Sequence, residues 1–174
     1  MTHLALELET RKRLYSLIEQ FPGTHFRELH RLFGGGTGNL EHHLRFLDKK
    51  GLIQVEKDRG NKRLFPLGLN NHERRILGIL RNSSLRKVVL QLLANKKATH
   101  KALTNHLQTA PSAVSRYLNK LVASNVVVLV QKGREKEYRL KDESAVAKVL
   151  ITYKESFVDH LVDKFAETWQ VSIF

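Results

Sequence analysis

Apolar residues recur at three- and four-residue steps between positions 14 and 47: Leu14, Ile18, Leu29, Phe33, Leu40, Leu44 and Leu47. That period predicts three amphipathic helices, near 10–20, 25–33 and 38–50. In the third, Leu40, Leu44 and Leu47 form an inner face with His43 beside it, and Asn39, Glu41, His42 and Arg45 fall on the other side. Gly51 follows Lys49 and Lys50, which suits a left-handed residue closing a helix whose last turn is basic. The period then shortens, predicting strands at 52–57 and 62–67 around Asp58-Arg59-Gly60-Asn61.

The same pattern returns 74 residues later. Leu14 matches Val88, Ile18 matches Leu92, Leu29 matches Leu103 and Phe33 matches Leu107. Leu40, Leu44 and Leu47 match Val114, Leu118 and Leu121. Gly51 matches Asn125, the other residue type that tolerates a left-handed backbone. Helices are therefore expected near 84–94, 99–107 and 111–123, with Pro111 in a first turn, where proline is tolerated. Strands are expected at 126–131 and 135–140 around Lys132-Gly133-Arg134, which makes the second hairpin one residue shorter and matches Phe65 to Tyr138. Three helices followed by a basic hairpin describe a winged helix-turn-helix unit, with the third helix as its recognition helix.

The expected fold is mainly α with small β-wings (α+β): two tandem winged helix-turn-helix units plus a long C-terminal helix. The first unit covers 1–69, a connecting helix 70–83, the second unit 84–141 and the C-terminal helix 142–174. Asn70 to Glu73 offer caps for the connecting helix, whose apolar face is Ile76, Leu77 and Leu80, and Ser83 or Ser84 is the expected cap of the next. Residues 142 to about 169 lack Pro and Gly and carry the stripe Leu150, Tyr153, Phe157, Leu161 and Phe165, begun by Val146 and widened by Ile151, Val158 and Val162. So broad an apolar face needs cover. It makes this helix the expected dimerisation element.

Gly34-Gly35-Gly36-Thr37-Gly38 could suggest a phosphate loop, but the chain has no Gly-Lys-Ser/Thr for a Walker site. The dinucleotide fingerprint fails as well, because the third glycine position after Gly36 and Gly38 is Glu41. His42 and His43 are helix neighbours, pointing about 100° apart rather than sharing a face, so no metal site is expected. Ser112, Ser115 and nearby histidines offer a nucleophile and a base without a readable third orienting group or oxyanion loop. Neither catalysis nor a cofactor is expected.

Charge sharpens the picture. The 174 residues carry a formal net charge of +13, unevenly placed. Residues 1–70 hold 12 basic and 8 acidic side chains, 71–141 hold 15 and 3, and 142–174 hold 3 and 6. The second unit is thus the stronger electrostatic footprint for a polyanion. Cysteine is absent, which excludes disulfides and thiolate sensors. No apolar run approaches the roughly 20 residues that span a bilayer, and MTHLALELETRKR does not read as a signal peptide. A cytoplasmic, nucleoid-associated protein is expected.

PGTHFRELHRLF, TGNLEHHLRFLDKKGLI and KRLFPL in the first half, with KALTNHLQTAPSAVSRYLNKLVASNVVV in the second, resemble archaeal tandem winged-helix transcription regulators related to the ArsR and MarR groups. The resemblance covers about residues 10 to 141 and implies sequence-directed DNA binding by both units, usually as a dimer. His43-Leu44 and Arg116-Tyr117-Leu118 occupy the family's recognition-helix positions, and Gly34-Gly35-Gly36 departs from its shorter turn. The expected partners are double-stranded DNA and a second copy of the chain. No membrane is expected as a partner, and the sequence does not identify a small-molecule effector. Candidate DNA contacts on the recognition helices are Asn39, His42, Arg45, Ser112, Ser115, Arg116, Asn119 and Lys120. On the wings they are Lys57, Arg59, Lys62, Arg63, Lys132, Arg134 and Lys136. A DNA-coating protein would use the same basic surface with little base discrimination. Tandem winged helices also serve as protein-interaction subunits.

Overall fold

A computed structural model describes residues 2–34, 36–58, 60–133, 135–157, 162–163 and 165–167. The chain divides into two compact units, Met1–Arg74 and Arg75–Phe174. In the first, helix α1 (Thr2–Gln20) leads into strand β1 (Thr24–His25), then α2 (Phe26–Phe33), α3 (Thr37–Lys49), β2 (Ile53–Asp58) and β3 (Asn61–Pro66). Helix α4 (Asn71–Leu80) contains the division point. The second unit repeats the series as α5 (Ser83–Asn95), β4 (Ala98–Thr99), α6 (His100–Leu107), α7 (Pro111–Ala123), β5 (Val127–Lys132) and β6 (Glu135–Leu140). Helix α8 (Glu143–Thr152) and a short 3-10 turn at Lys154–Ser156 follow.

Each hairpin belongs to a three-stranded antiparallel sheet, β1-β3-β2 and β4-β6-β5. The small strands β1 and β4 were not expected, since two residues are too few to show alternation. The registers correct the expected offset in the second hairpin. Thr24 faces Leu64 and Ala98 faces Tyr138, while Ile53 faces Pro66 and Val127 faces Leu140. The 74-residue shift thus runs unbroken through both hairpins. Leu64, not Phe65, is the counterpart of Tyr138. The glycines cause the apparent gap. Both turns have two connecting residues, but the glycine is the second in one (Gly60, φ +84°) and the first in the other (Gly133, φ +61°). Two-residue hairpin turns accept glycine at either place.

The apolar periodicity is what the interior uses. Leu14, Ile18, Leu29, Phe33, Leu40, Leu44, Leu47, Ile53 and Leu64 form one buried cluster in the first unit. Their counterparts Val88, Leu92, Leu103, Val114, Leu118, Leu121 and Val127 are buried in the second, and Leu107 and Tyr138 are half-buried. Helix α4 starts with a reciprocal cap: Asn70 Oδ1 accepts from the Glu73 amide at 2.9 Å, and Glu73 Oε2 accepts from the Asn70 amide at 3.1 Å. The cap of α5 is Asn82, whose Oδ1 accepts from the Leu85 amide at 3.0 Å, one residue before the expected serines.

The expected continuous C-terminal helix is also corrected. Helix α8 ends at Thr152, and helical backbone reappears at 162–163 and 165–167 among the described residues. The break is held by long-range bonds that periodicity does not record. Arg81 donates to the Ser156 carbonyl at 2.8 Å and Arg86 to the Phe157 carbonyl at 3.4 Å. Both guanidinium groups lie over the Phe157 ring, at 5.4 and 5.5 Å from its centroid. Leu150 and Phe157, expected to face a partner, are buried within the chain. Tyr153 and Phe165 keep partial exposure, and Leu161 lies outside the described residues.

Candidate nucleic-acid interface

Helices α3 and α7 are held alike. Three residues separate α2 from α3 and three separate α6 from α7, so the glycine run is no longer than its counterpart. The first place takes a left-handed backbone in both, filled by Gly34 (φ +73°) and Gln108 (φ +48°). Each helix then closes identically. Leu52 N–H donates to Leu47 O at 2.9 Å and Val126 N–H to Leu121 O at 3.1 Å, around Gly51 (φ +65°) and Asn125 (φ +57°). This six-to-one bond is the Schellman closure. It fixes where each hairpin leaves its recognition helix.

With the leucines and Val114 inward, Asn39, His42 and Arg45 stand exposed on α3, and Ser112, Ser115, Arg116 and Asn119 on α7. Lys120 is half-buried. His43 is 1% exposed, its ring edge-on to His42 at 5.6 Å between centroids, so it belongs to the interior face of α3. The two outward faces differ in charge. Helix α3 carries Glu41 and Asp48, with Glu41 accepting from Arg45 at 3.2 Å, whereas α7 has Ser115 and Val122 at those places and no acidic residue. An exposed pair of this kind adds little stability, but it reduces the local positive field.

Between α2, α3 and the first hairpin lies an open groove of about 670 Å³. Phe26, Leu44, Val55 and Leu64 line it together with Arg27, Arg31, Arg45 and Lys62, and Glu28, Glu41 and Asp48 bring the opposite charge. Arg27 and Arg31 were not among the expected contacts, although their place on α2 was legible. On α7, Arg116 lies with its guanidinium carbon 5.7 Å from the Tyr117 ring centroid. Hydrogen bonding from Ser84, and then the neighbouring Arg116, hold the Tyr117 hydroxyl below its ordinary value of 10.0 against the opposing effect of burial.

On the wings, Lys57, Lys62 and Lys136 are exposed. Arg63 is not. Its side chain is 11% exposed, donating through Nε to Asp58 at 2.8 Å and through Nη1 to the Gly23 carbonyl at 2.8 Å. Among the described residues it is thus the expected wing contact that is engaged within the chain, bridging the hairpin and the Gly23 carbonyl just before β1. Arg59 and Arg134 lie outside the described residues, as does the Lys132 side chain.

His100 was not among the expected contacts. From the first turn of α6 its Nε2 lies 2.9 Å from Ser115 Oγ and 3.2 Å from the Pro111 carbonyl oxygen. The pair is not built as a nucleophile and base. Nδ1 meets the Thr104 hydroxyl at 3.5 Å rather than a carboxylate, so no acidic group orients the ring as a base. Among the described residues, no group of three or more His, Cys, Asp or Glu could hold a metal ion. No helix there is long and apolar enough to cross a membrane.

Residues 8–77 match the family described as HTH_HVO_0163_N, N-terminal HTH domain, and residues 83–128 match bacterial regulatory protein, arsR family. Each half of the chain is thus similar to a helix-turn-helix domain family. The HTH-type transcriptional regulator MJ1398 of Methanocaldococcus jannaschii is 25% identical over 134 residues, covering 77% of this chain and 34% of that protein. The chain thus spans about a third of the length of that relative. Among solved structures, a possible transcriptional regulator for arsenical resistance is similar at 22% identity and a TM-score of 0.36, over 57% of this chain and 97% of that one. A chain of the endosomal complex ESCRT-II (VPS22/VPS25/VPS36) is similar at 19% identity and a TM-score of 0.31, over 80% of this chain and 63% of that one.

Proposed function

We propose that this chain is a transcription regulator that binds double-stranded DNA sequence-specifically as a homodimer, with recognition helices in the major groove and basic wings on the backbone or minor groove. The observation that carries the reading is the outward face of α7. Ser112, Ser115, Arg116 and Asn119 stand exposed on a helix with no acidic residue, in the most basic part of the chain. Such side chains read base edges, whereas Lys57, Lys62 and Lys136 suit phosphate. The acid-bearing face of α3 is the weaker reader. Self-association through the C-terminal segment would use Tyr153 and Phe165, which keep solvent access that Leu150 and Phe157 lack. The site of action would be the nucleoid.

Titrating a fluorescent duplex at several salt concentrations tests this reading, because each neutralised phosphate releases about 0.9 counterion from B-DNA. Affinity should fall steeply and linearly on a log–log plot, and a chosen sequence should outcompete random duplex. Steep salt dependence with no sequence preference would support a DNA-coating protein. No binding at low salt would support a protein-interaction subunit.

A further inference from the structure

Resting on the DNA-binding reading above, we propose that His100 is a positioning residue for base discrimination, fixing Ser115 as an outward hydrogen-bond donor on α7. Serine and threonine hydroxyls inside helices commonly donate to the carbonyl four residues back. Thr104 does so to His100 O at 2.9 Å and Ser124 to Lys120 O at 2.8 Å. For Ser115 that carbonyl belongs to Pro111, and there His100 Nε2 stands 3.2 Å from the oxygen and 2.9 Å from Ser115 Oγ. With the imidazole proton on Nε2, where the Pro111 carbonyl can only accept, this one N–H fills the acceptor that Ser115 would otherwise use and also donates to Oγ. The hydroxyl of this exposed residue then has its own proton to give to an outside group. The first unit has no such device. Phe26 and Glu41 stand at the two equivalent places, and Glu41 is engaged by Arg45.

A fixed donor selects among bases. In the major groove guanine offers N7 and O6, adenine N7 and thymine O4 as acceptors, while cytosine presents only its amino donor. The base facing Ser115 is therefore preferably one with an acceptor, and cytosine, whose amino group could use only the one Oγ lone pair that His100 leaves, is disfavoured there. The rejection depends on His100, although His100 itself touches no base.

Selection from a pool of randomised duplexes, carried out with the full chain and read by sequencing, tests this. Wild type, Ser115→Ala, His100→Ala and His100→Gln are compared, with circular dichroism as a check on folding. Wild type should show one position depleted of cytosine by roughly fivefold, the size expected from one net hydrogen bond. Ser115→Ala and His100→Ala should both lose that depletion at the same position, and His100→Ala should leave the rest of the motif and the affinity for bulk duplex unchanged. His100→Gln, whose amide nitrogen can reach as a donor, should keep it. The proposal is overturned if His100→Ala keeps the depletion. It is also overturned if His100→Ala and His100→Gln weaken every duplex equally, which marks a purely structural residue. Flat base preferences in wild type would overturn the sequence-specific reading along with it, an outcome distinct from a wild-type motif that His100→Ala leaves intact.

Discussion

Arg63 Nε donates to Asp58 at 2.8 Å across the turn end of the first hairpin, while the adjacent Lys62 stands in solvent. Two neighbouring cations on one strand thus have separate roles, because successive strand residues face opposite sides. Arg63→Ala should lower the stability of the full chain by about 2 kcal/mol, the usual scale for hydrogen bonds to a charged group that is largely withdrawn from water. It should leave the salt dependence of DNA binding unchanged. Lys62→Ala should do the reverse, lowering the salt slope by about one with stability intact. Urea unfolding and duplex titration read the two effects. An Arg63→Ala chain with normal stability and a reduced slope would show that this guanidinium leaves Asp58 for phosphate.

The Phe157 ring is buried beneath two guanidinium groups, so its truncation should be costly. Phe157→Ala is expected to destabilise the fold by about 3–5 kcal/mol, the range for large-to-small changes in a packed interior. The same change should leave the oligomeric state alone, because the ring is already covered within one chain. Chemical unfolding and sedimentation together decide it. Dissociation with little loss of stability would return Phe157 to an interface between copies.

At the end of the recognition helices, Gly51 and Asn125 share one backbone requirement with different side chains. An added Cβ at Gly51 meets nothing within 4 Å, so a substitution there is opposed by conformation alone. Gly51→Ala should therefore cost about 1–2 kcal/mol, the penalty of a left-handed L-residue. Asn125→Gly should be neutral or slightly stabilising, since it relieves the same strain in the second unit. Thermal unfolding of both variants checks the contrast, and equal losses would refute it.

How much of this was legible beforehand differs by element. The inner faces of α3 and α7 could be read because burial follows the 3.6-residue period, and Leu40, Leu44 and Leu47 with their counterparts obey it. The left-handed closures were legible because few residue types tolerate that backbone. Hairpin register was not, since Gly60 and Gly133 invite alignment to each other while occupying different turn positions. The end of α8 at Thr152 left no local trace either, because the stripe continues while Arg81 and Arg86, distant in sequence, hold the turn. Charge alone could not separate Lys62 from Arg63. The His100–Ser115 bond required knowing that the start of α6 meets the first turns of α7.

Reading and gripping should separate within the second unit. Arg116 projects from α7 opposite Val114, Leu118 and Leu121, and Lys136 stands exposed on β6. Arginine pairs bidentately with guanine O6 and N7, a contact worth about 1–3 kcal/mol of discrimination. A lysine near phosphate holds position without reading sequence. Arg116→Ala should therefore weaken binding to a selected site far more than binding to random duplex, compressing the ratio between them. Lys136→Ala should weaken both by a similar factor and lower the salt slope by about one. Competition titrations at two salt concentrations measure all four quantities. Equal losses on both duplexes for Arg116→Ala would make it a phosphate contact, and the chain would then grip DNA through this residue without reading it.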